Sequence, residues 1–139
     1  MAQTVKDVMT SDPVTVDRKD SVAEAARLMR EHDVGAIVVE DQGKVCGIVT
    51  DRDITVRAVA AGQEGGRTNV GDICSAELGT VSPGESLDRA IEEMRSRSVR
   101  RVPVTDDGGV VGILSIGDLA MERDQQSALA DISAAPPNR

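Results

Sequence analysis

The sequence predicts a mixed α/β (α+β) fold in which two tandem repeats, each running β-α-β-β-α, pack sheet to sheet with pseudo-two-fold symmetry. Two observations support this fold class. The 139-residue chain aligns with itself without a gap at a shift of 65 residues, and such a period indicates a duplicated structural unit. Within each copy, an amphipathic helix precedes two short β-branched segments that are joined by turn residues.

The self-alignment superposes short motifs. The segment 5–9 lies over 70–74, Thr15-Val16 over Thr80-Val81, and Gly47-Ile48 over Gly112-Ile113. A unit of this size is marginal alone, so we expect the two copies to bury their sheets against each other. The predicted boundaries are repeat 1 at 1–61, a linker at 62–69, repeat 2 at 70–130 and a flexible tail at 131–139.

Each element of the first copy follows from a local pattern. Val14-Thr15-Val16 is a short extended segment, and Ser21 with Glu24 forms a capping box for a helix whose apolar positions recur at helical spacing up to His32. The β-branched run 36–39 is too short for a helix and reads as a strand.

The remaining elements complete the unit. Turn residues 41–44 join the run 36–39 to the strand 45–49, which predicts a hairpin. Thr50 is a good N-cap for a helix over 51–61, and the Gly-rich linker should be a flexible connector. The second copy repeats every step, with a hairpin turn at 106–109 and a longer last helix from Ile116.

Composition excludes several classes of function. Sixteen Lys and Arg against twenty-four Asp and Glu give a formal net charge of −8, and the chain has no aromatic residue. An acidic chain repels a phosphate backbone and, without aromatic rings, offers no platform for stacked bases, so we expect no nucleic-acid partner. The single histidine and two distant cysteines, Cys46 and Cys74, predict no metal site and fit a reducing compartment.

No segment of the sequence suggests membrane insertion. No apolar run approaches the roughly 20 residues that span a bilayer, and the first residues lack the pattern of a signal peptide. We therefore expect no membrane partner and a cytoplasmic location.

Two related motifs could bind a ligand. The segments 47–53 and 112–118 each place a strand end, a hydroxyl and, three residues later, a carboxylate at a helix start. The carboxylates of Asp53 and Asp118 could accept hydrogen bonds from ribose hydroxyls, while Thr50, Ser115 and the helix N-termini favour a phosphate. The alternative is purely structural, because Ser and Thr are ordinary N-caps and Asp is favoured in a first helical turn.

The sequence resembles the CBS domains, which occur in tandem pairs called Bateman modules. The resemblance covers about residues 5 to 125, and three motifs carry it: Val5-Lys6-Asp7-Val8-Met9, Arg101-Val102-Pro103-Val104 and the two hydroxyl–carboxylate segments. It implies an adenine nucleotide (AMP, ADP or ATP) or an S-adenosyl ligand in clefts between the copies, and a homodimer. No cofactor is required.

The resemblance also implies roles for individual residues. Asp53 and Asp118 would hold ribose hydroxyls, and Thr50 and Ser115 would contact the ribose or the first phosphate. The residues that would border the base are Thr15, Ala36, Ile37, Thr80, Arg101, Val102 and Pro103.

Arginines near the motifs could attract a phosphate-bearing ligand. Copy one carries Arg52 inside its motif. Copy two has Ile116 and Gly117 there instead, but offers Arg100 and Arg101 next to its strand. A polyanion approaching an acidic chain needs such local cations, and the guanidinium fork fits phosphate.

The sequence shows no nucleophile paired with a base, so we predict that the chain is not an enzyme. The leading hypothesis is a regulatory sensor that binds an adenine nucleotide and signals to an unidentified protein partner. The alternative is a ligand-free homodimeric module whose repeats serve packing and assembly only.

Overall fold

The structure is a computed structural model that describes residues 3–76 and 78–123. Its helices are α1 (Val5–Val8), α2 (Val22–His32), α3 (Asp51–Asp53), α4 (Leu87–Arg97) and α5 (Ile116–Arg123), with a π-helical segment at Ile54–Val59 and a 3₁₀ turn at Val70–Asp72. Its strands are β1 (Thr10–Ser11), β2 (Thr15–Asp17), β3 (Ala36–Asp41), β4 (Lys44–Thr50), β5 (Arg101–Asp106) and β6 (Gly109–Ser115). The predicted tail at 131–139 and the end of the predicted last helix lie outside the described residues.

Two three-stranded sheets confirm the predicted fold class. One has the order β2-β3-β4, with β2 parallel to β3, and the other has the order β1-β6-β5. Strand β4 of the first sheet contacts β5 and β6 of the second. Each sheet has its own apolar cluster, one with Ile37 and Val49 at its centre and the other with Val102 and Leu114.

Both predicted hairpins are present, and their turns have matching geometry. Gln42 and Gly43 have φ angles of 53° and 82°, and Asp107 and Gly108 have 52° and 83°. Two consecutive positive φ angles define a type I′ turn, whose twist matches that of the paired strands. The glycine at the second position adopts this angle without steric strain.

The short segments that begin the two repeats, around Val5 and Val70, each pack in the core of the opposite half, and we call them the entry segments. Val5, from the first repeat, is fully buried in the core of the second sheet, and its N–H donates to the Glu85 carbonyl over 2.9 Å. Val70, its counterpart in the second repeat, is fully buried in the first core, and its N–H donates to the Asp20 carbonyl over 2.8 Å. The structural halves are therefore not the sequence repeats.

The connector between the repeats, which the sequence predicts to be flexible, is tied to the start of α2. The carbonyls of Thr68 and Gly65 accept hydrogen bonds from Val22 N and Ala23 N over 2.8 and 2.9 Å. The first N–H groups of a helix have no acceptor within that helix. The connector supplies the acceptors, and Thr68 is itself buried.

The helix predicted over 51–61 is irregular. It begins as α3 and continues as the π-helical segment, in which Ala60 N donates to the Thr55 carbonyl five residues earlier. The Thr55 hydroxyl donates to the Asp51 carbonyl over 3.1 Å. A side chain bonded to that carbonyl competes with the regular α-helical pattern, which accounts for the widened turn.

Candidate functional site

Each half carries the same hydrogen-bonded box at the start of its second helix. Thr50 Oγ1 accepts from Asp53 N over 3.1 Å, and Asp53 Oδ2 accepts from Thr50 N over 3.0 Å. Ser115 and Asp118 form the equivalent pair, with both distances 3.1 Å. This reciprocal bonding is a capping box. The structural role considered in the sequence is thus present, and it occupies one carboxylate oxygen of each Asp.

The glycine that begins each motif permits a close crossing of two segments. A Cβ atom on Gly47 would overlap the carbonyl oxygen of Ser75, and one on Gly112 would lie 2.9 Å from the Thr10 carbonyl oxygen. The segments stay this close because Ile48 and Ser75 exchange backbone hydrogen bonds of 3.0 and 2.9 Å. The glycines therefore fix the distance between each motif and the crossing segment from the other repeat.

A cavity of about 360 Å³ opens beside the first of these boxes. Residues from both repeats line it: Ile48, Thr50, Arg52, Asp53, Arg57, Ser75, Leu78, Ser98, Val99, Arg100 and Arg101. We call this cavity the basic cleft. Its volume lies in the range of small-molecule sites, about 300 to 1,000 Å³.

The charge of the basic cleft is opposite to that of the chain. Among the described residues, four arginines and one aspartate line it, which gives a formal charge of +3 in a protein of net charge −8. Arg57 is held in place, because its Nη1 donates to the carbonyl of Ile73 over 3.1 Å and its Nε lies 3.8 Å from Asp53 Oδ1. The other three, Arg52, Arg100 and Arg101, form no ion pair with any carboxylate of residues 3–76 and 78–123.

The corresponding positions of the other half carry the opposite charge. A shift of 65 residues maps Arg52, Arg57, Arg100 and Arg101 onto Gly117, Glu122, Gly35 and Ala36, and maps Ser98 onto Asp33. The second helix start thus keeps its hydroxyl and its carboxylate but has no cation at any of these places. We call these positions, with Ser115 and Asp118, the acidic counterpart.

The structure brings together only part of the predicted site. Thr50, Arg52, Asp53 and Arg101 line the basic cleft. Ser115 and Asp118 belong to the acidic counterpart, and Thr15 and Ala36 are half-buried at the starts of β2 and β3.

The other predicted residues lie elsewhere. Ile37 and Val102 point into the two cores and are fully buried. Thr80 and Pro103 line a separate cavity of about 290 Å³ together with Cys46 and Arg97.

The sequence analysis placed Arg52 at the motif of copy one and Arg100 and Arg101 at that of copy two, but the structure does not keep them apart. Arg52 from copy one and Arg100 and Arg101 from copy two line a single cavity, because the end of α4 and the start of β5 meet the start of α3 across the seam. Sequence reasoning missed five lining residues: Arg57, Ser75, Leu78, Ser98 and Val99. Only Arg57 had a local signal, since it follows Asp53 at the i,i+4 spacing of a helical ion pair.

The surroundings of both cysteines disfavour the thiolate form. Burial raises the pKa of the Cys74 thiol, and the neighbouring Cys46 raises it further. Burial likewise raises the pKa of Cys46. Both thiols therefore stay protonated near neutral pH, whereas metal ligands and nucleophiles require the thiolate. Among the described residues, no group of three or more His, Cys, Asp or Glu side chains could hold a metal ion.

Among the described residues, none of the helices combines enough length with enough apolar character to cross a bilayer.

Comparison with known proteins identifies the family. The CBS domain model matches residues 5–59 and 70–124. The CBS domain-containing protein YhcV of Bacillus subtilis is 42% identical over 133 residues, which cover 93% of this chain and 94% of that protein.

Hypoxic response protein 1 of Mycobacterium tuberculosis is 30% identical over 132 residues, which cover 94% of this chain and 92% of that protein. Its crystal structure, described as holding two coordinated zinc ions, matches with a TM-score of 0.75 over 86% of this chain and 98% of that one.

The CBS domain pair of protein MJ0100, in complex with 5-methylthioadenosine and S-adenosyl-L-methionine, is 27% identical. It matches with a TM-score of 0.79 over 91% of this chain and all of that one.

Proposed function

We propose that this chain, which belongs to the CBS-domain family, binds an adenine nucleotide or a related adenosyl ligand in the basic cleft and signals its presence to a protein partner. CBS pairs are regulatory domains, and the MJ0100 pair binds two adenosyl compounds. One observation carries the proposal: Asp53, whose side chain is 9% exposed, lines a cavity that also holds three arginines with no ion pair to any described carboxylate.

The carboxylate of Asp53 is suited to a ribose. Its Oδ2 is occupied by the capping box, so the side chain is held in one orientation. Its Oδ1 lies 3.8 Å from Arg57 Nε, beyond ordinary hydrogen-bond distance. That oxygen can accept a hydrogen bond from a sugar hydroxyl without any loss of the box.

The rest of the cleft supplies the other contacts that a nucleotide needs. Ile48, Leu78 and Val99 offer aliphatic surface on which a purine can pack, which replaces the aromatic rings that the chain lacks. Arg52 and Arg101 offer guanidinium groups to phosphate. Apolar walls with a few polar groups are typical of small-molecule sites.

A ligand in this cleft would act on the arrangement of the two halves. The cleft is lined by helix starts of one half and by residues 98–101 of the other, so a bound ligand contacts both. A ligand changes an equilibrium only by its different affinity for two states. Binding would favour the relative position of the two halves in which the ligand contacts both. A protein partner that binds this position with a different affinity would then respond to the ligand.

Thermal unfolding with AMP, ADP, ATP, NAD and S-adenosylmethionine tests the proposal. A ligand at one hundred times its dissociation constant stabilises the fold by about 2.7 kcal/mol, which raises the Tm by several degrees. Asp53→Asn should abolish the increase, because the amide keeps an acceptor for Thr50 N but loses the charge that a ribose hydroxyl favours.

Two variants serve as controls. Asp7→Asn changes another capping carboxylate, bonded to Thr4 N over 3.0 Å, that lies outside the cleft. It should leave the ligand-induced increase in Tm intact, as should Asp118→Asn. Loss of the increase in Asp118→Asn but not in Asp53→Asn would contradict the assignment of the site.

A ligand-free assembly module is the second candidate. An apolar groove of about 340 Å³ runs along α4 and α5, lined in part by Ile91, Met94 and Leu119, and Ile116 on its edge is 57% exposed. Such a groove suits contact with another protein, including a second copy in a homodimer. If no nucleotide changes the Tm while the chain is dimeric by light scattering, this second function replaces the first.

A further inference from the structure

We infer that the basic cleft is a polyphosphate site, selective for ligands with two or more linked phosphates, and that each chain has one such site because the acidic counterpart has no arginine at the corresponding positions. This inference rests on the proposed function where the ligand is a nucleotide. It goes further by stating the charge of the ligand and the number bound per chain.

The first ground is the number of arginines without a carboxylate. Several arginines elsewhere on the chain pair with carboxylates of their own helix: Arg27 pairs with Glu24 and Glu31, and Arg97 pairs with Glu93 over 2.6 Å. Arg30 and Arg89 have no ion pair among the described residues either, but neither of them lines a cavity with other arginines. Arg52, Arg100 and Arg101 have no such partner among the described residues, yet all three line one cavity. Like charges gathered around a cavity repel one another, and a polyanion between them removes that repulsion.

The second ground is that few carboxylates of the described lining neutralise the arginines of the basic cleft. Asp53 is the one acidic residue among the described residues that line the cleft, and the carbonyl of Ile73 and the Asp53 carboxylate hold Arg57. A single phosphate carries a charge of about −1.5 to −2 near neutral pH, which leaves part of the formal +3 of the described lining uncompensated across the donor set of three further guanidinium groups. Two or three linked phosphates match that donor set.

The third ground is the acidic counterpart. Glu122 and Asp33 stand where the basic cleft has Arg57 and Ser98, and no arginine is present at the positions that correspond to Arg52, Arg100 and Arg101. A phosphate chain placed there would find no guanidinium group at any of the four corresponding positions. Opposite potentials at two related sites direct an anion to one of them.

Isothermal titration calorimetry with adenosine, AMP, ADP, ATP and inorganic triphosphate tests the inference. We expect one ATP per chain and affinity that rises about tenfold with each added phosphate, the effect of roughly one charge-assisted hydrogen bond. Inorganic triphosphate should also bind, more weakly than ATP. The affinity for ATP should fall as salt is raised, whereas that for adenosine should not.

Arg52→Ala and Arg101→Ala should each lower ATP affinity about tenfold and leave adenosine affinity unchanged within about twofold. Arg30→Ala is the matched control, because Arg30 is an exposed arginine on α2 that has no ion pair among the described residues and lies outside the cleft. It should change neither affinity. Circular dichroism checks that each variant is folded.

The outcomes separate this inference from the proposed function. Equal affinity for adenosine, AMP and ATP, or two ATP molecules per chain, would overturn the inference and leave the proposed function standing. Equal binding of inorganic triphosphate and ATP would support the polyphosphate site and contradict recognition of the nucleoside. No response to triphosphate or ATP would overturn the inference, and adenosine or S-adenosylmethionine would then decide the proposed function separately.

Discussion

The two helix starts have the same backbone framework and opposite charge. Both carry a glycine at a close crossing, a hydroxyl N-cap and a carboxylate that closes a capping box, with bonds of 3.0 to 3.1 Å. One is surrounded by four arginines, and the positions that correspond to those arginines in the other hold two glycines, an alanine and a glutamate.

The two helix starts share some residues and differ in others. The shared residues stabilise the fold of each repeat, and the residues that differ determine which ligand can bind. Residues that both copies keep form backbone contacts and caps, so their loss should destabilise either half, by an amount that depends on the neighbours of each position. Arg52, Arg100 and Arg101, which differ between the copies, are exposed at the cleft, so a change of charge there should leave the framework intact. Substitutions at shared positions should therefore lower the free energy of unfolding, most at the crossing glycines and least at the capping hydroxyls.

Substitution at the crossing glycines should have the largest effect. Gly47→Ala places a methyl group against the Ser75 carbonyl, which is held by hydrogen bonds, and should lower the free energy of unfolding by about 3 kcal/mol. Gly112→Ala should lower it by less, because the nearest neighbour there, the Met9 side chain, can move and the Thr10 carbonyl oxygen would be 2.9 Å from the new Cβ, farther than the Ser75 carbonyl oxygen is in Gly47→Ala. Urea denaturation measures both.

Gly84→Ala is the control for the glycine series, since a Cβ atom there meets nothing within 4 Å. It should change the free energy of unfolding by less than about 0.5 kcal/mol. If Gly47→Ala is as mild as Gly84→Ala, the close crossing does not constrain the motif.

The exchanged entry segments should contribute equally to the two cores. Val5→Ala and Val70→Ala each remove two methyl groups from a fully buried site and should each lower the free energy of unfolding by about 2 kcal/mol. Val59→Ala, at a side chain that is 67% exposed, should have little effect. A negligible cost for Val5→Ala would mean that the first segment does not pack on the second half.

The capping hydroxyls should be equivalent for stability and different for binding. Thr50→Ala and Ser115→Ala should each lower the free energy of unfolding by about 1 kcal/mol. Only Thr50→Ala should also weaken nucleotide binding, because only Thr50 lines the basic cleft. Equal losses of binding in both variants, measured by calorimetry, would remove the distinction between the halves.

Alkaline pH should have the smallest effect, and that effect should be confined to the first core. Cys46 and Cys74 pack against it, while the corresponding positions of the second half hold Val111 and Met9. Burial raises the pKa of both thiols, so the folded state holds their protons more tightly and loses some stability as the pH rises above about 8.5.

Urea denaturation at pH 7 and pH 10 measures this loss. The variant Cys46→Val/Cys74→Met, which carries the residues of the second half, should lose less stability between the two pH values than the wild type. An identical loss in the two proteins would show that other groups cause the alkaline effect.

The sequence predicted the parts of the fold that depend on local patterns. The amphipathic spacing of α2, the turn residues of both hairpins and the hydroxyl–carboxylate pairs are confirmed, because each is determined by residues a few positions apart. The exchange of Val5 and Val70 between the cores was not predictable in this way. Both segments have the same sequence pattern whichever sheet they join.

The composition of the candidate site was predictable only in part. Asp53 and Thr50 could be identified from a motif, but Ser75, Leu78 and Val99 belong to none and reach the cavity through the packing of the two halves. The repeat alignment assigned Arg52 and Arg101 to separate copies. The seam between the halves, which no pairwise alignment describes, places them around one cavity.

Calorimetric titration of ATP into the wild type, Asp53→Asn, Arg101→Ala and Asp118→Asn tests most directly whether one cleft draws residues from both repeats. We predict a single binding event per chain that both Asp53→Asn and Arg101→Ala weaken and that Asp118→Asn leaves unchanged. The opposite result would be two binding events per chain, one weakened by both Arg101→Ala and Asp118→Asn and the other weakened by Asp53→Asn. That result would contradict a cleft shared by the two repeats and would mean that Arg52 and Arg101 belong to separate sites.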